Sequence, residues 1–272
     1  MKPIAVLGTG PAGLMAALGV AMSGKPVSLF GKANSEGNMA KSRIGGAQFL
    51  HDPLPMVCDE DEPDGVLTYR VLGTPEGYRT KVYGSDPTIP FVSMDYVHDG
   101  KTQQAWSLQH TYDLLWEYLS AAYGNVVDIT AQWLDKAIEE NWFDHIISTI
   151  PVPALCWATN GAPLAVAHQF VSQEIMIASH SIMETADNTI YYNGDPDYSW
   201  YRCSKIFGVG GTEWSVENPP PPLAELVRVR KPIRTTCDCF TKNVLRTGRY
   251  GAWTKGILTH QAFTDAKKLV NG

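Results

Sequence analysis

No run of this chain approaches the roughly 18 consecutive apolar residues that a membrane-spanning helix requires, because glycines and polar residues interrupt every candidate. A soluble protein is the expectation. Cysteine is scarce: Cys58, Cys156, Cys203, Cys237 and Cys239 are scattered and odd in number, so a disulfide framework is not expected and a reducing cytoplasm is. Cys237 and Cys239 stand one residue apart, which on a strand puts both thiols on one face. No second Cys or His pair accompanies them at zinc-site spacing, so the pair reads as packing and no metal is expected. HExxH, GxSxG and P-loop patterns are absent, which leaves metalloprotease, hydrolase-elbow and NTPase readings without support.

The first 24 residues, a lysine followed by a mostly apolar run, imitate a secretory leader. They show no small-residue cleavage pattern with a polar start after it, and they carry three glycines at nucleotide-binding spacing that a leader does not need. Charge is unevenly spread. Residues 1–227 hold 12 Lys/Arg against 26 Asp/Glu, whereas residues 228–272 hold 10 against 2, within a formal net charge of -6. The acidic run Asp59-Glu60-Asp61-Glu62-Pro63-Asp64 reads as a solvated loop. The basic C-terminal section suits a phosphate-rich ligand, either a dinucleotide or a nucleic acid, and charge alone does not choose.

Ile4 to Leu7 is a short strand ending at Gly8, Pro11 to Met22 suits a buried helix stopped by Ser23-Gly24, and Pro26 to Phe30 is a second strand. This βαβ unit has the length of a mononucleotide-binding half. Beyond Asp64 the chain offers β-type segments at Val66–Leu72, Tyr78–Tyr83 and Phe91–Val97, then a helix over Trp106–Tyr123. Strands follow at Val126–Ile129 and His145–Ile150. Further strands are expected at Gln173–Ile182, Thr189–Asn193, Tyr198–Phe207 and Val227–Arg230, with Pro219–Pro222 as an exposed turn or edge crossing. A last strand over Asn243–Thr247 precedes a helix from about Leu258 to Val270. The fold class is therefore α/β: a Rossmann-like dinucleotide domain (1–65, 125–165 and 236–272) interrupted by a mainly antiparallel β substrate domain (66–124 and 166–235).

Gly8-Thr9-Gly10-Pro11-Ala12-Gly13 fits GxGxxG between a strand and a helix, the context that gives the pattern meaning. Gly8 permits the tight turn, Gly10 lets backbone approach a pyrophosphate, and Gly13 lets the helix pack close to the strand. The helix N-terminus offers free N–H groups to the phosphates. An acidic residue that would take the adenosine ribose is missing, since Leu29-Phe30 runs into Gly31-Lys32; Glu36 follows a few residues on. Tyr191, Tyr192, Trp200 and Tyr201 near Arg202 and Lys205 offer aromatic surface and cations to a planar or sugar-like anionic substrate, or equally an ordinary core. Tyr192 and Lys205 are the candidates taken from this stretch, and His260 near the start of the last helix either contacts the cofactor or caps.

Gly8 to Gly13 with Pro11-Ala12 inside, Gly45-Gly46 after Arg43, Ile146 to Pro151, and Gly248-Arg249-Tyr250-Gly251-Ala252-Trp253 before a helix resemble, in that order, the amine-oxidase and UDP-galactopyranose-mutase-like FAD enzymes. The resemblance implies FAD as cofactor. It also implies Arg43, Gly45 and Gly46 beside the pyrophosphate and flavin, and Thr149 to Pro151 crossing near the cofactor. Gly248, Arg249, Tyr250 and Trp253 would then lie at the flavin, with the last helix aimed at its pyrimidine end. His51, after Gly46-Ala47-Gln48, resembles the histidine that the mutase-like proteins bring beside the isoalloxazine. With one glycine motif in 272 residues a separate NAD(P)H domain is not expected, and electrons are expected to come from the substrate or a small external donor, or flavin to act without net redox change. The expected function is oxidation of a C–N or C–O bond in a small polar substrate. Two alternatives stand beside it: a lyase or oxidase acting on an amino-acid-like adduct of a pyrimidine in phage DNA, suggested by the basic section from Arg228, and a non-catalytic redox sensor or scaffold.

Overall fold

A computed structural model describes residues 1–31, 48–84, 98–125, 129–156, 168–220 and 226–272. The chain opens with β1 (Ile4–Leu7), α1 (Pro11–Met22) and β2 (Val27–Gly31). All four β1 residues are buried, as befits an apolar run flanked by strands on both sides. Pro11 sits at the start of α1, where a missing N–H removes no helical bond. Then come β3 (Phe49–Leu50), β4 (Gly65–Leu72), α2 (Pro75–Tyr83), β5 (Thr102–Ser107) and α3 (Leu108–Leu119), followed by β6 (Tyr123–Asn125), α4 (Ala131–Glu139), β7 (Ile146–Ser148) and α5 (Val152–Leu155). The remainder is β8 (Phe170–Ala178), β9 (Thr189–Asn193), β10 (Trp200–Ile206), β11 (Val209–Ser215), β12 (Leu226–Thr235), β13 (Val244–Arg246), α6 (Gly248–Gly251) and α7 (Gln261–Asn271).

The chain divides into two units, one of Met1–Met39, Tyr112–Val171 and Pro232–Gly272, the other of Ala40–Thr111 and Ser172–Lys231. The division differs from the sequence-based boundaries because β6 is already a strand of the first unit's sheet, beside β2, while β3 already pairs with β5 of the second.

In the first unit a parallel sheet has the order β13-β7-β1-β2-β6. The winding direction reverses between β1 and β7, which brings the carboxyl ends of these strands together with Leu7 opposite Ser148. In sheets of this kind ligands bind outside that reversal point. A cluster of Ala5, Leu7, Leu134, Ala137, Ile146, Leu155 and Val244 fills one face. On α1 every residue from Gly13 to Val20 is buried, and Gly19 lies so near α7 that a Cβ there would stand 2.5 Å from the Phe263 carbonyl.

The second unit is built on a sheet ordered β12-β8-β11-β10-β9-β4-β5-β3. Antiparallel pairs dominate, but β4 and β9 run parallel. Two sequence expectations are corrected. Tyr78–Tyr83 belongs to α2 and not to a strand, because Thr74 Oγ1 accepts from the Gly77 N–H, Pro75 opens the first turn and Gly84, at φ 64°, ends it. Trp106 is a strand residue, its indole donating to the Asp59 carbonyl at 2.7 Å, and the helix starts only at Leu108. β11 and α4 have no counterpart in the sequence reading. The expected strand Phe91–Val97 and residues 126–128 of the expected strand Val126–Ile129 lie outside the described residues.

Candidate nucleotide-binding site

The turn after β1 is tied on both sides. Gly8 donates to the Phe30 carbonyl at 2.7 Å, and the Leu7 carbonyl accepts from both Thr149 N at 2.8 Å and Thr149 Oγ1 at 3.1 Å. Tyr112 reaches in from α3, its hydroxyl donating to the Thr9 carbonyl at 2.9 Å inside the protein. The three glycines are then required for different reasons. Gly8 holds φ +113°, and a Cβ there would lie 2.3 Å from Thr149 Oγ1. A Cβ on Gly13 would lie 1.9 Å from the Gly8 carbonyl oxygen, so only glycine lets α1 cross this close to the turn. Around Gly10 a Cβ would meet nothing within 4 Å. That space lies at the N-terminus of α1, where Gly10 supplies no capping side chain and the first N–H groups of a helix have no partner within it. Open room above unclaimed amide hydrogens, behind a turn packed solid, is what a phosphate needs.

The sheet carries two further sequence-predicted blocks to the same place. Thr149 follows β7 beside Gly8, and Thr247 donates its N–H to the Ser148 carbonyl at 3.0 Å, which starts α6 against the turn. A Cβ on Gly248 would stand 2.8 Å from the Ala12 Cβ, and one on Gly251 would stand 2.5 Å from the Ser148 carbonyl oxygen. Pro151 caps α5. The expected roles divide after that. Trp253 is buried, its indole donating to the Val171 carbonyl at 3.2 Å with its ring edge-on to Phe170, so it anchors the segment by packing. Tyr250 is half-buried, and burial pushes its phenol above the ordinary value. The Arg249 guanidinium donates to the Pro232 carbonyl. Beside it, burial and then the Arg249 charge draw the Lys255 ammonium down to about 8. His260 occupies the N-cap position of α7 without a side-chain capping bond, and the long helix begins just after it, close to the expected start near Leu258. Arg43, Gly45 and Gly46, with Lys32 and Glu36, lie outside the described residues.

The place of the missing ribose-binding acid has a packing explanation. Gly31 ends β2 against Thr9, and a Cβ at residue 31 would sit 2.9 Å from Thr9 Cγ2 and 3.1 Å from Thr9 N. An acidic side chain there would have to displace Thr9.

In the second unit, Tyr69 donates to Gln103 Oε1 at 2.9 Å, which orients the amide so that Nε2 faces His51 Nδ1 at 2.7 Å. A donor at Nδ1 makes the neutral ring the Nε2–H tautomer. Tyr192 is a core residue and not a displayed one: it is 8% exposed, stacked on Tyr69 and edge-on to Tyr78. Alternation along β9 turns it inward, into the cluster with Ile190, Tyr69 and Tyr78. Lys205 makes a 2.9 Å ion pair with the exposed Asp187. Sequence reasoning passed over Glu213, an acid set among the strand residues of β11, although a carboxylate in such a run signals a buried partner. It is 5% exposed, accepts from Tyr201 at 2.8 Å and Lys231 at 2.7 Å, and pairs with Arg202. Burial opposes its ionisation, but Arg202 and Lys231 outweigh it and hold the carboxyl down to about 2. Of the basic section, Arg228 and Arg230 are both engaged by Glu174.

No protein-family model and no curated protein matches the sequence. Solved structures do match in fold. A reduced UDP-galactopyranose mutase superposes over 100% of this chain and 93% of its own, with a TM-score of 0.60 at 14% identity. A CLA-producing fatty acid isomerase from P. acnes covers 99% and 98% at a TM-score of 0.59 and 12% identity. A geranylgeranyl bacteriochlorophyll reductase-like protein from Thermoplasma acidophilum covers 99% and 77% at 0.55 and 11%. The chain has the FAD-binding flavoprotein fold, a parallel dinucleotide sheet joined to a large mixed one.

Proposed function

We propose that this protein is an FAD-dependent oxidoreductase that oxidises a C–N or C–O bond of a small polar substrate. The reading rests on one observation above the rest: Gly10 faces open space at the N-terminus of α1 while Gly8 and Gly13, on either side of it, are packed to contact. A turn built only for packing would close around all three. The amides of Ala12 and Gly13 bind the pyrophosphate, and the Thr149 and Gly248 segments wall the cleft. Bound flavin supplies the hydride acceptor. His51, fixed by Gln103 as an Nε2–H donor, orients a polar substrate atom by donating a hydrogen bond to it.

A flavin reaction without net redox change is the second reading. It is supported by two structural neighbours, matched over 93% and 98% of their own chains, being, by name, a mutase and an isomerase. The experiment is the absorption spectrum of the purified chain, followed by anaerobic mixing with amines and alcohols. A flavin spectrum that bleaches on mixing supports the oxidoreductase. A flavin that stays oxidised while a substrate is converted supports the second reading, and a colourless protein that refuses added FAD defeats both. In the oxidoreductase, His51→Ala keeps full flavin content and lowers kcat/KM by roughly 10-fold, the worth of about 1.5 kcal/mol for a lost orienting hydrogen bond.

A further inference from the structure

Cys156, His168, Cys237 and Cys239 come from three separate stretches of the first unit: the end of α5, the approach to β8, and the turn between β12 and β13. The fold gathers their four donor atoms within 4.8 Å of one another. Cys156 Sγ lies 3.1 Å from His168 Nδ1 and 3.9 Å from Cys239 Sγ, and Cys239 Sγ lies 3.7 Å from the same nitrogen. A tetrahedral zinc ion with Zn–S near 2.3 Å and Zn–N near 2.0 Å holds its donors about 3.5 to 3.8 Å apart, and these three pairs, at 3.1 to 3.9 Å, bracket that spacing. Cys237 and Cys156 are buried beside Val152 and Trp253, and none of the five cysteines is in a disulfide.

The surroundings complete the arrangement. With Nδ1 turned to the sulfurs, the outer nitrogen of His168 faces Asp238 Oδ1 at 3.7 Å, the carboxylate partner that zinc-bound imidazoles commonly have. Thr235 Oγ1 accepts from the Cys237 N–H at 3.0 Å and Arg246 donates to the Cys237 carbonyl at 2.7 Å, so the turn carrying two thiols is held from both sides. The short Cys237-x-Cys239 spacing hides the site in the sequence, since its other two ligands are supplied by folding alone.

We propose that these four residues form a structural zinc site of the Cys₃His type. Three thiolates and an imidazole select zinc among available divalent ions by softness and tetrahedral shape, and four protein ligands leave no position for a substrate or water. Its work is to fasten the segment after β7 and the turn before β13 to one another. Trp253, packed against the cluster, passes that rigidity to the α6 segment beside the glycine turn.

The test is metal analysis of the full chain purified without chelator or histidine tag, with cobalt substitution as a second measurement. About one zinc per chain is expected for a site of this class, retained by the Cys58→Ser variant and lost from both His168→Ala and Cys239→Ser. Cobalt added to the reduced, metal-stripped protein under anaerobic conditions gives the intense visible bands of tetrahedral thiolate coordination. Wild-type protein without zinc that also gives no such bands overturns the proposal, whether or not the variants fold. Zinc retained at full stoichiometry by both variants places the metal elsewhere and overturns it equally.

Discussion

Gly10 and Gly13 are three residues apart in one turn, yet an added methyl group meets opposite surroundings at the two positions. At Gly13 it collides with the Gly8 carbonyl, whereas at Gly10, with φ -74°, it is sterically free. Gly13→Ala is therefore expected to destabilise the fold by several kcal/mol or abolish it, as forced overlap in a packed interior does. Gly10→Ala keeps or slightly raises the urea midpoint, by about 0.4 to 1 kcal/mol through the unfolded chain, and loses FAD. A Gly10→Ala protein that still binds FAD with wild-type affinity removes the phosphate from this turn. Glu213 makes a second prediction. Its carboxyl is depressed in the folded state, from 4.5 to about 2, so its contribution is complete above pH 4.5 and fades as pH falls toward 2. That shift corresponds to stability on the order of 3 kcal/mol. Glu213→Gln should flatten this part of the acid-denaturation profile, and an unchanged profile refutes the assignment. Lys255, held near 8, should outpace Lys267 in acylation by a trace reagent at pH 8.

At the scale of elements, α2 shows how local chemistry overrides pattern. Tyr78 to Tyr83 alternates well enough to suggest a strand, but Thr74-Pro75 before it and Gly84 after it are helix punctuation, and Thr74 Oγ1 takes the Gly77 amide. Thr74→Ala should cost about 1 kcal/mol, the usual worth of an N-cap, read as a lower urea midpoint at unchanged slope. The opening βαβ unit was legible because β1 and the centre of α1 are buried and its three glycines keep the GxGxxG spacing between strand and helix. β11 was not, because Gly210-Gly211 interrupts the apolar alternation that marks a strand. Gly210 stands in β11 because a Cβ there would lie 2.7 Å from the Ser181 amide, a constraint set by a partner segment 29 residues away in the chain. The Cys156 and His168 pairing with Cys237 and Cys239 was illegible for the same reason: only the closed sheet brings α5 to the β12–β13 turn.

At the scale of the whole molecule, the first unit is assembled from three chain segments, and its glycine turn is finished by the last of them. β13 supplies the sheet edge, α6 abuts Ala12, and α7 covers α1, whose central residues are all buried and which has no polar face to show to water. Ligand and fold are therefore linked. FAD that binds only the folded cradle raises stability by about 2.7 kcal/mol at a free concentration 100 times its Kd, so the thermal midpoint of this unit should climb with added FAD. The same titration on Gly10→Ala separates binding from folding, because that variant starts at the wild-type midpoint and stays there. A chain ended after Thr235 lacks β13, α6 and α7 together, which exposes α1. It is expected to be recovered as aggregate with or without FAD, and a monomeric, cooperatively melting product from that truncation would show that the nucleotide sheet stands without its final segment.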